Sequence, residues 1–219
     1  MSTANRYFLC LGTRKGLEVL RAALDVLPSA RLTVCTFKEK NVAEPFHSQI
    51  EEAAREAESV LVGWRDFKGA PERFLEHHEI GAVVCIGWPY LVPAAAVHAL
   101  QGEVVIAHDS LLPKLRGFAP LPTALICGES ESGVTFLRAG SDVDNGEILW
   151  QSRFPIEPND TIRTLIDKTL PLYREGATRY FRGELRDRTP QDETRATYSI
   201  WRDAEDYRIP RRTIKPSQR

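Results

Sequence analysis

Short apolar runs alternate with helix-like segments along the first half of the chain. Five of these runs are apolar at nearly every position and predict buried strands, over residues 7–12, 31–37, 60–62, 82–88 and 103–107. The segments between them predict helices, over residues 16–27, 44–58, 70–78 and 93–100. Strands that are apolar throughout and separated by helices are typical of a parallel sheet with helices on both faces. The expected fold class is therefore α/β.

The pattern changes after residue 133, where strands follow each other without a helix between them. Residues 134–137 and 148–152 flank a polar turn at 140–146, which predicts a β-hairpin. A long helix is predicted over 161–180, with Asp160 as its N-cap. We expect Pro171 to kink this helix or to split it in two. The sequence turns polar after Gly183, which indicates an extended arm with little core of its own.

Composition places the chain among soluble globular proteins and narrows the expected partners. It has 219 residues, of which 42% are apolar and 27% charged, and no apolar run approaches the ~20 residues of a membrane span. The first residues lack the features of a signal peptide, so we expect a cytoplasmic protein without membrane contact. A formal net charge of −1 argues against a general nucleic-acid binder. The four cysteines lack metal-site or CxxC spacing, which favours small buried thiols and no metal.

Candidate chemistry lies in the loops that follow two of the strands. Open parallel sheets bind ligands beyond the carboxyl ends of their strands, so the loops after Trp88 and Ala107 are the expected location. The turn Gly12–Gly16 matches neither the dinucleotide nor the phosphate-binding glycine pattern. His108 directly follows a buried strand. A single histidine in that position is more often a structural hydrogen-bonding residue than a catalyst, so its neighbours decide how it is interpreted.

Four motifs follow in order along the chain. They are His108-Asp-Ser-Leu-Leu-Pro-Lys-Leu-Arg-Gly-Phe-Ala-Pro120, Ala124-Leu-Ile-Cys-Gly-Glu129, Gly133-Val-Thr135 and Asp144-Asn-Gly-Glu-Ile148. Together they resemble the signature of the formyl-folate-dependent formyltransferases, which include methionyl-tRNA, glycinamide ribonucleotide and nucleotide-sugar enzymes. The resemblance implies a Rossmann-like, mostly parallel sheet followed by a hairpin, a long helix and a C-terminal arm. It divides the chain into a catalytic domain over 1–188 and an arm over 189–219.

The resemblance also implies a reaction and two catalytic residues. N10-formyltetrahydrofolate would donate its formyl group to an amine through a tetrahedral oxyanion, which needs hydrogen-bond donors and a base. His108 would polarise or stabilise the formyl oxygen, and Asp144 would hold the histidine or a water molecule and help to move the proton. Taken alone, Asp144 would be an ordinary residue of a hairpin turn. Its pairing with the histidine motif favours a catalytic role.

One position departs from the family pattern. The family has an asparagine two residues before the histidine, as a third catalytic group, and this chain has Ile106. Isoleucine cannot donate a hydrogen bond, so one oxyanion contact is missing. Three explanations remain open: a slow formyltransferase, altered chemistry, or a formyl-folate-binding protein that no longer transfers. Hydrolysis of formyl-folate, with water as the acceptor, is a further alternative.

The resemblance assigns the remaining candidate residues to two ligands. Those for the folate are Trp88, Tyr90, Leu91 and Val92 after one strand, and Ala139, Gly140 and Val143 in the turn. Those for the acceptor are Ser110, Lys114, Arg116 and Gly117, where positive charge would meet a diphosphate. The alternative for Trp88 is ordinary packing in the core. The alternative for Lys114 and Arg116 is that they are surface charges at the tip of the loop.

The acceptor is expected to be a small amine on a nucleotide-linked amino sugar. The Gly87-Trp88 pair and the late segment from Thr197 to Ile209 resemble that branch of the family. The near-neutral charge disfavours tRNA, whose binding needs many phosphate contacts. Trp201 and Tyr207 are expected to anchor the arm to the body or to a second subunit, which would make the protein a homodimer.

Overall fold

A seven-stranded sheet with helices on both faces forms the body of the molecule. The computed structural model describes residues 6–38 and 45–200. The strands are β1 (Tyr7–Leu11), β2 (Leu32–Thr36), β3 (Val60–Leu61), β4 (Ala82–Ile86), β5 (Val104–His108), β6 (Arg116–Gly117), β7 (Glu131–Arg138), β8 (Ile148–Pro155) and β9 (Tyr198–Ser199). The helices are α1 (Thr13–Val26), α2 (His47–Glu56), α3 (Trp64–Gly69), α4 (Pro71–His77), α5 (Ala94–Ala99), α6 (Pro120–Cys127) and α7 (Ile162–Phe181).

The strand order confirms the α/β prediction. The sheet runs β3-β2-β1-β4-β5-β7-β8, and the first five of these strands are parallel. β7 pairs antiparallel with β5, and β8 pairs antiparallel with β7, so the predicted hairpin extends the parallel sheet at one edge. β6 and β9 form a separate two-stranded parallel sheet.

Side chains of each parallel strand alternate between two cores. In β1, Leu9 and Leu11 face the core that contains residues of α1, α2 and α7, whereas Phe8 and Cys10 face the core built with α3, α4 and α5. All four side chains are fully buried. Because both faces are covered in this way, every position of the strand is apolar, which is the pattern that the sequence shows.

The helical prediction was incomplete around two prolines. The predicted helix over 70–78 is preceded by α3, and Ala70 separates the two helices with a non-helical backbone (φ −152°, ψ 67°). The residue before a proline is disfavoured in the helical region, so Pro71 begins a new helix. Pro120 likewise occupies the first turn of α6, which was not predicted. Proline fits there because the first helical N–H groups have no partner within the helix.

The long helix differs from its prediction at its start and at its centre. Thr161, not Asp160, is the N-cap, and its hydroxyl accepts a hydrogen bond from Thr164 N at 3.3 Å. Asp160 instead accepts hydrogen bonds from the Thr164 hydroxyl and from Lys168. The helix runs unbroken through Pro171, because buried residues on both sides of the proline, Leu170 and Tyr173, pack it onto the body. No helix in the described part of the chain combines the length and apolar composition of a membrane span.

The predicted buried thiols are confirmed for three of the four cysteines. Cys10 lies in β1 with Cys35 of β2 and Cys85 of β4 as its register partners, and all three are buried. Burial raises the pKa of the Cys35 thiol to about 12. Cys127 is exposed at the last position of α6, so the prediction was wrong there.

A close approach of α7 to the hairpin gives a stability prediction. A Cβ atom at Gly176 would lie 2.5 Å from Phe136 Cε2 and 2.8 Å from Trp150 Cζ3. We expect Gly176→Ala to lower the free energy of unfolding by about 1–3 kcal/mol, despite the gain of about 1 kcal/mol in helix propensity. Urea denaturation measures the change. Gly69→Ala is the control, since its Cβ would meet no described atom within 4 Å. Unchanged stability of Gly176→Ala would show that the two rings can move aside.

Candidate active site

His108 is the last residue of β5 and is held by the loop that follows it. The loop folds back so that His108 Nε2 lies 2.7 Å from the Leu115 carbonyl oxygen. A carbonyl oxygen can only accept a hydrogen bond, so Nε2 carries a proton and donates it to Leu115. In the neutral imidazole the other ring nitrogen, Nδ1, is then an acceptor. The residue is 8% exposed, which shields the ring from most solvent.

Asp144 meets His108 from the turn between β7 and β8. Its Oδ2 lies 3.4 Å from His108 Nδ1 and accepts a hydrogen bond from Gly117 N at 2.9 Å. The backbone of Asp144 is left-handed (φ 49°), a conformation that aspartate tolerates better than most residues. Asp144 is therefore both a turn residue and a neighbour of the histidine, so its two sequence interpretations are compatible.

Ile106 and His108 project from the same face of the sheet. They are two residues apart in β5, and Ile106 pairs in register with Cys85 of β4 and Leu137 of β7. The turn after β7 folds back over this face, since Ala139 packs against the same core as Ile106, and Asp144 reaches His108. Ile106 therefore packs against the same core as the first residue of the turn and offers no polar side-chain atom to a ligand.

An aromatic cluster borders this face on the side of β4. Trp88 contacts Trp64 and Phe37 edge to face, with ring centroids 5.1 Å and 5.2 Å away. Tyr90 stacks on Trp64 at 5.9 Å and an interplanar angle of 17°. Trp88 Nε1 is buried and has no acceptor among the residues that the structure describes. Sequence reasoning missed Trp64 and Phe37, although both follow strands at the carboxyl edge of the sheet.

The other predicted folate residues lie at the rim of the same face. Val92 and Ala139 are partly buried and pack against the core that contains Ile106 and Trp88. Leu91 is 91% exposed and Val143 is 48% exposed. Gly140 lies against the turn itself, where a Cβ would come within 2.0 Å of Asn145 Oδ1. The predicted folate residues of the turn are thus a partly buried alanine, a tightly packed glycine and a half-exposed valine.

Comparison with known proteins identifies the family. The family model described as Formyl transferase matches residues 31–179 of the chain. The chain belongs to the formyl transferase family. It is 32% identical over 150 residues to the methionyl-tRNA formyltransferase of Streptococcus equi subsp. equi (strain 4047), covering 64% of this chain. The chain spans about half the length of that relative, 48%.

Solved structures agree with this formyl transferase fold. The N-formyltransferase from Helicobacter canadensis, in complex with folinic acid and dTDP-3-aminofucose, superposes with a TM-score of 0.72 at 20% identity, covering 93% of this chain and 72% of the other. Glycinamide ribonucleotide transformylase 1 from Symbiobacterium toebii superposes with a TM-score of 0.67 at 22% identity, covering 85% and 94%. At these identities the likeness establishes the fold alone.

Two residues predicted to bind the acceptor line a cleft beside the loop that follows His108. Ser110 is buried and donates its hydroxyl to the Lys114 carbonyl oxygen at 2.6 Å. The Lys114 side chain is exposed, 3.8 Å from Glu129 Oε2. Both residues line a cleft of about 310 Å³, which Arg153 and Arg195 also line. Gly117 was also predicted to bind the acceptor, and its backbone N–H donates to Asp144 instead.

Arg116 does not meet the expectation of a charge that faces a ligand. Its side chain is fully buried, and all five of its N–H donors have acceptors within the chain. These acceptors are Gln191, Glu193 and Tyr198, all in the first part of the arm. Arg116 therefore holds the arm. Trp201 and Tyr207, the predicted anchors, lie outside the described residues.

Asp109, next to His108, forms a polar contact that the sequence did not indicate. Its carboxylate is ion-paired with Lys15 of α1 and accepts a hydrogen bond from the Tyr173 hydroxyl at 2.9 Å. Burial, followed by the nearby Asp109 carboxylate, raises the pKa of Tyr173 well above its usual value. Two helices from distant parts of the chain, α1 and α7, thus fix the residue that follows the histidine. In the sequence, the position of Asp109 directly after a buried strand was the feature that could have indicated its role.

The tight turn around Asp144 gives a prediction for activity. A Cβ atom at Gly146 would lie 1.9 Å from the Arg138 carbonyl oxygen, so Gly146→Ala must displace the turn. We expect the rate of formyl transfer to fall by about a hundredfold, as a displacement of about 1 Å can cause. Steady-state kinetics measures the rate, and circular dichroism is expected to show an intact fold. A fully active Gly146→Ala enzyme would mean that the turn position is unimportant.

Proposed function

We propose that this protein transfers the formyl group of N10-formyltetrahydrofolate to the primary amine of a small acceptor, an amino sugar carried on a nucleotide. One observation carries the proposal. His108 and Asp144, 36 residues apart by their numbers, approach to 3.4 Å on the face that the turn covers. Family membership and the order of the four motifs along the chain support the same reaction.

The contacts of His108 and Asp144 suit proton transfer during attack by an amine. The Leu115 carbonyl fixes the proton on Nε2, which leaves Nδ1 facing the Asp144 carboxylate. As the amine nitrogen bonds to the formyl carbon, it must lose a proton, and Nδ1 with Asp144 forms an acceptor pair for it. Once protonated, Nδ1 becomes a donor that can stabilise the developing oxyanion. When the intermediate collapses, the bond between the formyl carbon and N10 of the folate breaks, and the proton held on Nδ1 passes to the departing N10.

The face beside Ile106 fits a flat, partly polar donor molecule. N10-formyltetrahydrofolate supplies the formyl group and carries a pterin ring with hydrogen-bonding edges. Trp88 and Tyr90 offer aromatic surface, and the buried Trp88 Nε1 offers an N–H without a described acceptor. The turn offers backbone at Gly140. These groups would bind and orient the donor and exclude water from the reacting carbon, which also disfavours hydrolysis.

Charges in the neighbouring cleft support a nucleotide-linked amino sugar as the acceptor. Lys114, Arg153 and Arg195 line the cleft together with Glu129 and Glu131. A diphosphate needs cations, whereas a protonated amine is attracted to carboxylates, so a mixed site suits a ligand that carries both. The related Helicobacter canadensis structure contains dTDP-3-aminofucose, which has this combination of groups.

The function is tested by an assay with a panel of acceptors. The protein is incubated with N10-formyltetrahydrofolate and either dTDP-3-aminofucose, glycinamide ribonucleotide or no amine, and products are identified by mass spectrometry. We expect formylated amino sugar, and a kcat that falls at least about a hundredfold in His108→Gln and Asp144→Asn. Asp142→Asn, in the same turn, is the control and is expected to remain active. If formylated glycinamide ribonucleotide is the only product, the acceptor is that amine and not an amino sugar. If formate is released in the absence of any amine, the protein is a hydrolase.

Ile106 favours a second candidate function, a formyl-folate-binding protein with weak or no transfer. The side chain occupies the floor of the site next to His108, where an asparagine would supply a donor. Binding of the donor needs only the surrounding loops, so it is compatible with a missing oxyanion contact. The two candidates differ in what happens when the asparagine is restored.

We expect Ile106→Asn to raise kcat about tenfold or more, since one oxyanion donor is worth about 10²–10³ in rate and burial of the amide offsets part of the gain. Steady-state kinetics with the acceptor panel measures the change, and Ile106→Val is the control for altered packing. Wild-type transfer that Ile106→Asn leaves unchanged would show that another group already stabilises the oxyanion. Transfer found only in Ile106→Asn would identify the natural protein as a binding protein.

A further inference from the structure

The first part of the arm is bonded to the turn that carries Asp144. Gln191 Nε2 donates hydrogen bonds to the carbonyl oxygens of Asp144 and Gly146, both at 2.7 Å. Its Oε1 accepts from Arg116 Nε at 3.0 Å and from Nη2 at 2.8 Å. One amide side chain therefore connects the buried guanidinium to the backbone of the turn on both sides of Asn145.

Arg116 ties the link between Gln191 and the turn to the first part of the arm, because the guanidinium also bonds to Glu193. Its guanidinium forms a bidentate pair with Glu193, with both distances 2.8 Å, and this pair lowers the pKa of Glu193. A buried cation without such partners is strongly unfavourable. Next to it, Arg116 N donates to the Thr197 carbonyl oxygen at 2.9 Å, and β6 pairs with β9. Arg116 is therefore buried because the arm surrounds it.

Two neighbouring residues of β6 hold Asp144 in different ways. Gly117 N holds the carboxylate directly, and Arg116 holds the Asp144 carbonyl through Gln191. The main chain and the side chain of Asp144 are thereby fixed relative to the same two-residue strand. The backbone of Asp144 is left-handed, a conformation that costs energy in a residue other than glycine and persists only where the surrounding structure holds it. Gln191 and Glu193 lie beyond residue 179, where the family match ends.

We propose that Gln191 is a positioning residue that holds Asp144 against His108, so that the docked arm completes the active site of this formyl transferase. The role in the reaction rests on the proposed function, whereas the role in holding the turn does not. Gln191 touches no reacting atom in this proposal. It acts through the two carbonyl groups of the turn, with Arg116 and Glu193 fixing the amide in place.

Gln191→Glu separates positioning from simple docking of the arm. The glutamate keeps an oxygen for Arg116, so the arm stays bound, but it replaces the amide donor with an acceptor facing two carbonyl oxygens. We expect kcat to fall about ten- to a hundredfold. The Gly117 amide resonance in ¹⁵N-labelled full-length protein is expected to move, because that N–H donates to Asp144. Asp192→Ala, which removes an exposed cap bonded to Thr194, is the control and should change neither quantity.

A second variant and a double mutant complete the test. Gln191→Ala removes both sets of contacts without adding a charge and replaces Gln191→Glu if that variant does not fold. In an Asp144→Asn background, Gln191→Glu is expected to cause little further loss of rate, because the residue acts through Asp144. Wild-type kcat and an unmoved Gly117 resonance in Gln191→Glu would overturn the proposal. A moved resonance in a protein without transfer activity would support positioning and contradict the proposed function.

Discussion

The antiparallel pairing of β7 with β5 determines where this site forms. β7 begins beside the end of β5 that carries His108 and runs back along the strand, with Thr135 opposite His108 and Arg138 opposite Val105. The turn that follows must then return over the face of β5 for Asp144 to reach the histidine. Ile106 lies under that returning segment, so the floor, the imidazole and the carboxylate all depend on one strand register. A shift of β5 by one residue against its neighbours would turn the Ile106 and His108 side chains to the opposite face.

Much of the body followed from the apolar pattern, and less of the site did. Strands buried on both faces, such as β1 and β4, are apolar at every position, so the run of apolar residues was enough to locate them. His108 and Asp144 were found through motifs, and the structure brings them together. The errors lie where local preferences compete with packing: Pro171 stays within α7, and Thr161 rather than Asp160 caps it. Proline is common at helix boundaries, but here the burial of Leu170 and Tyr173 keeps the helix packed on the body. Aspartate and threonine are both common N-caps, and the side-chain contacts with Thr164 and Lys168 decide between them.

Arg116 shows why the remaining residues of the site were not found. A cation in a polar loop is normally exposed, and its burial depends on Gln191 and Glu193, more than 70 residues later in the chain. No periodicity or short motif connects such distant residues. Trp64 and Phe37 differ in this respect, since each follows a strand at the carboxyl edge of the sheet, where ligands bind in such folds. The same rule points to the loops after β2 and β3, where these two residues lie.

The aromatic cluster around Trp88 has a practical consequence for spectroscopy. Two of the four tryptophans of the chain, Trp64 and Trp88, are in contact with each other and with Tyr90 at the rim of the proposed donor site. Trp150 is instead packed between the hairpin and α7, against Phe136. Emission from the rim pair should respond to a bound heterocycle, whereas emission from Trp150 should respond to unfolding. Comparing the emission of the protein with that of a Trp150→Phe variant can therefore distinguish the response of the rim pair from that of Trp150 without any added label.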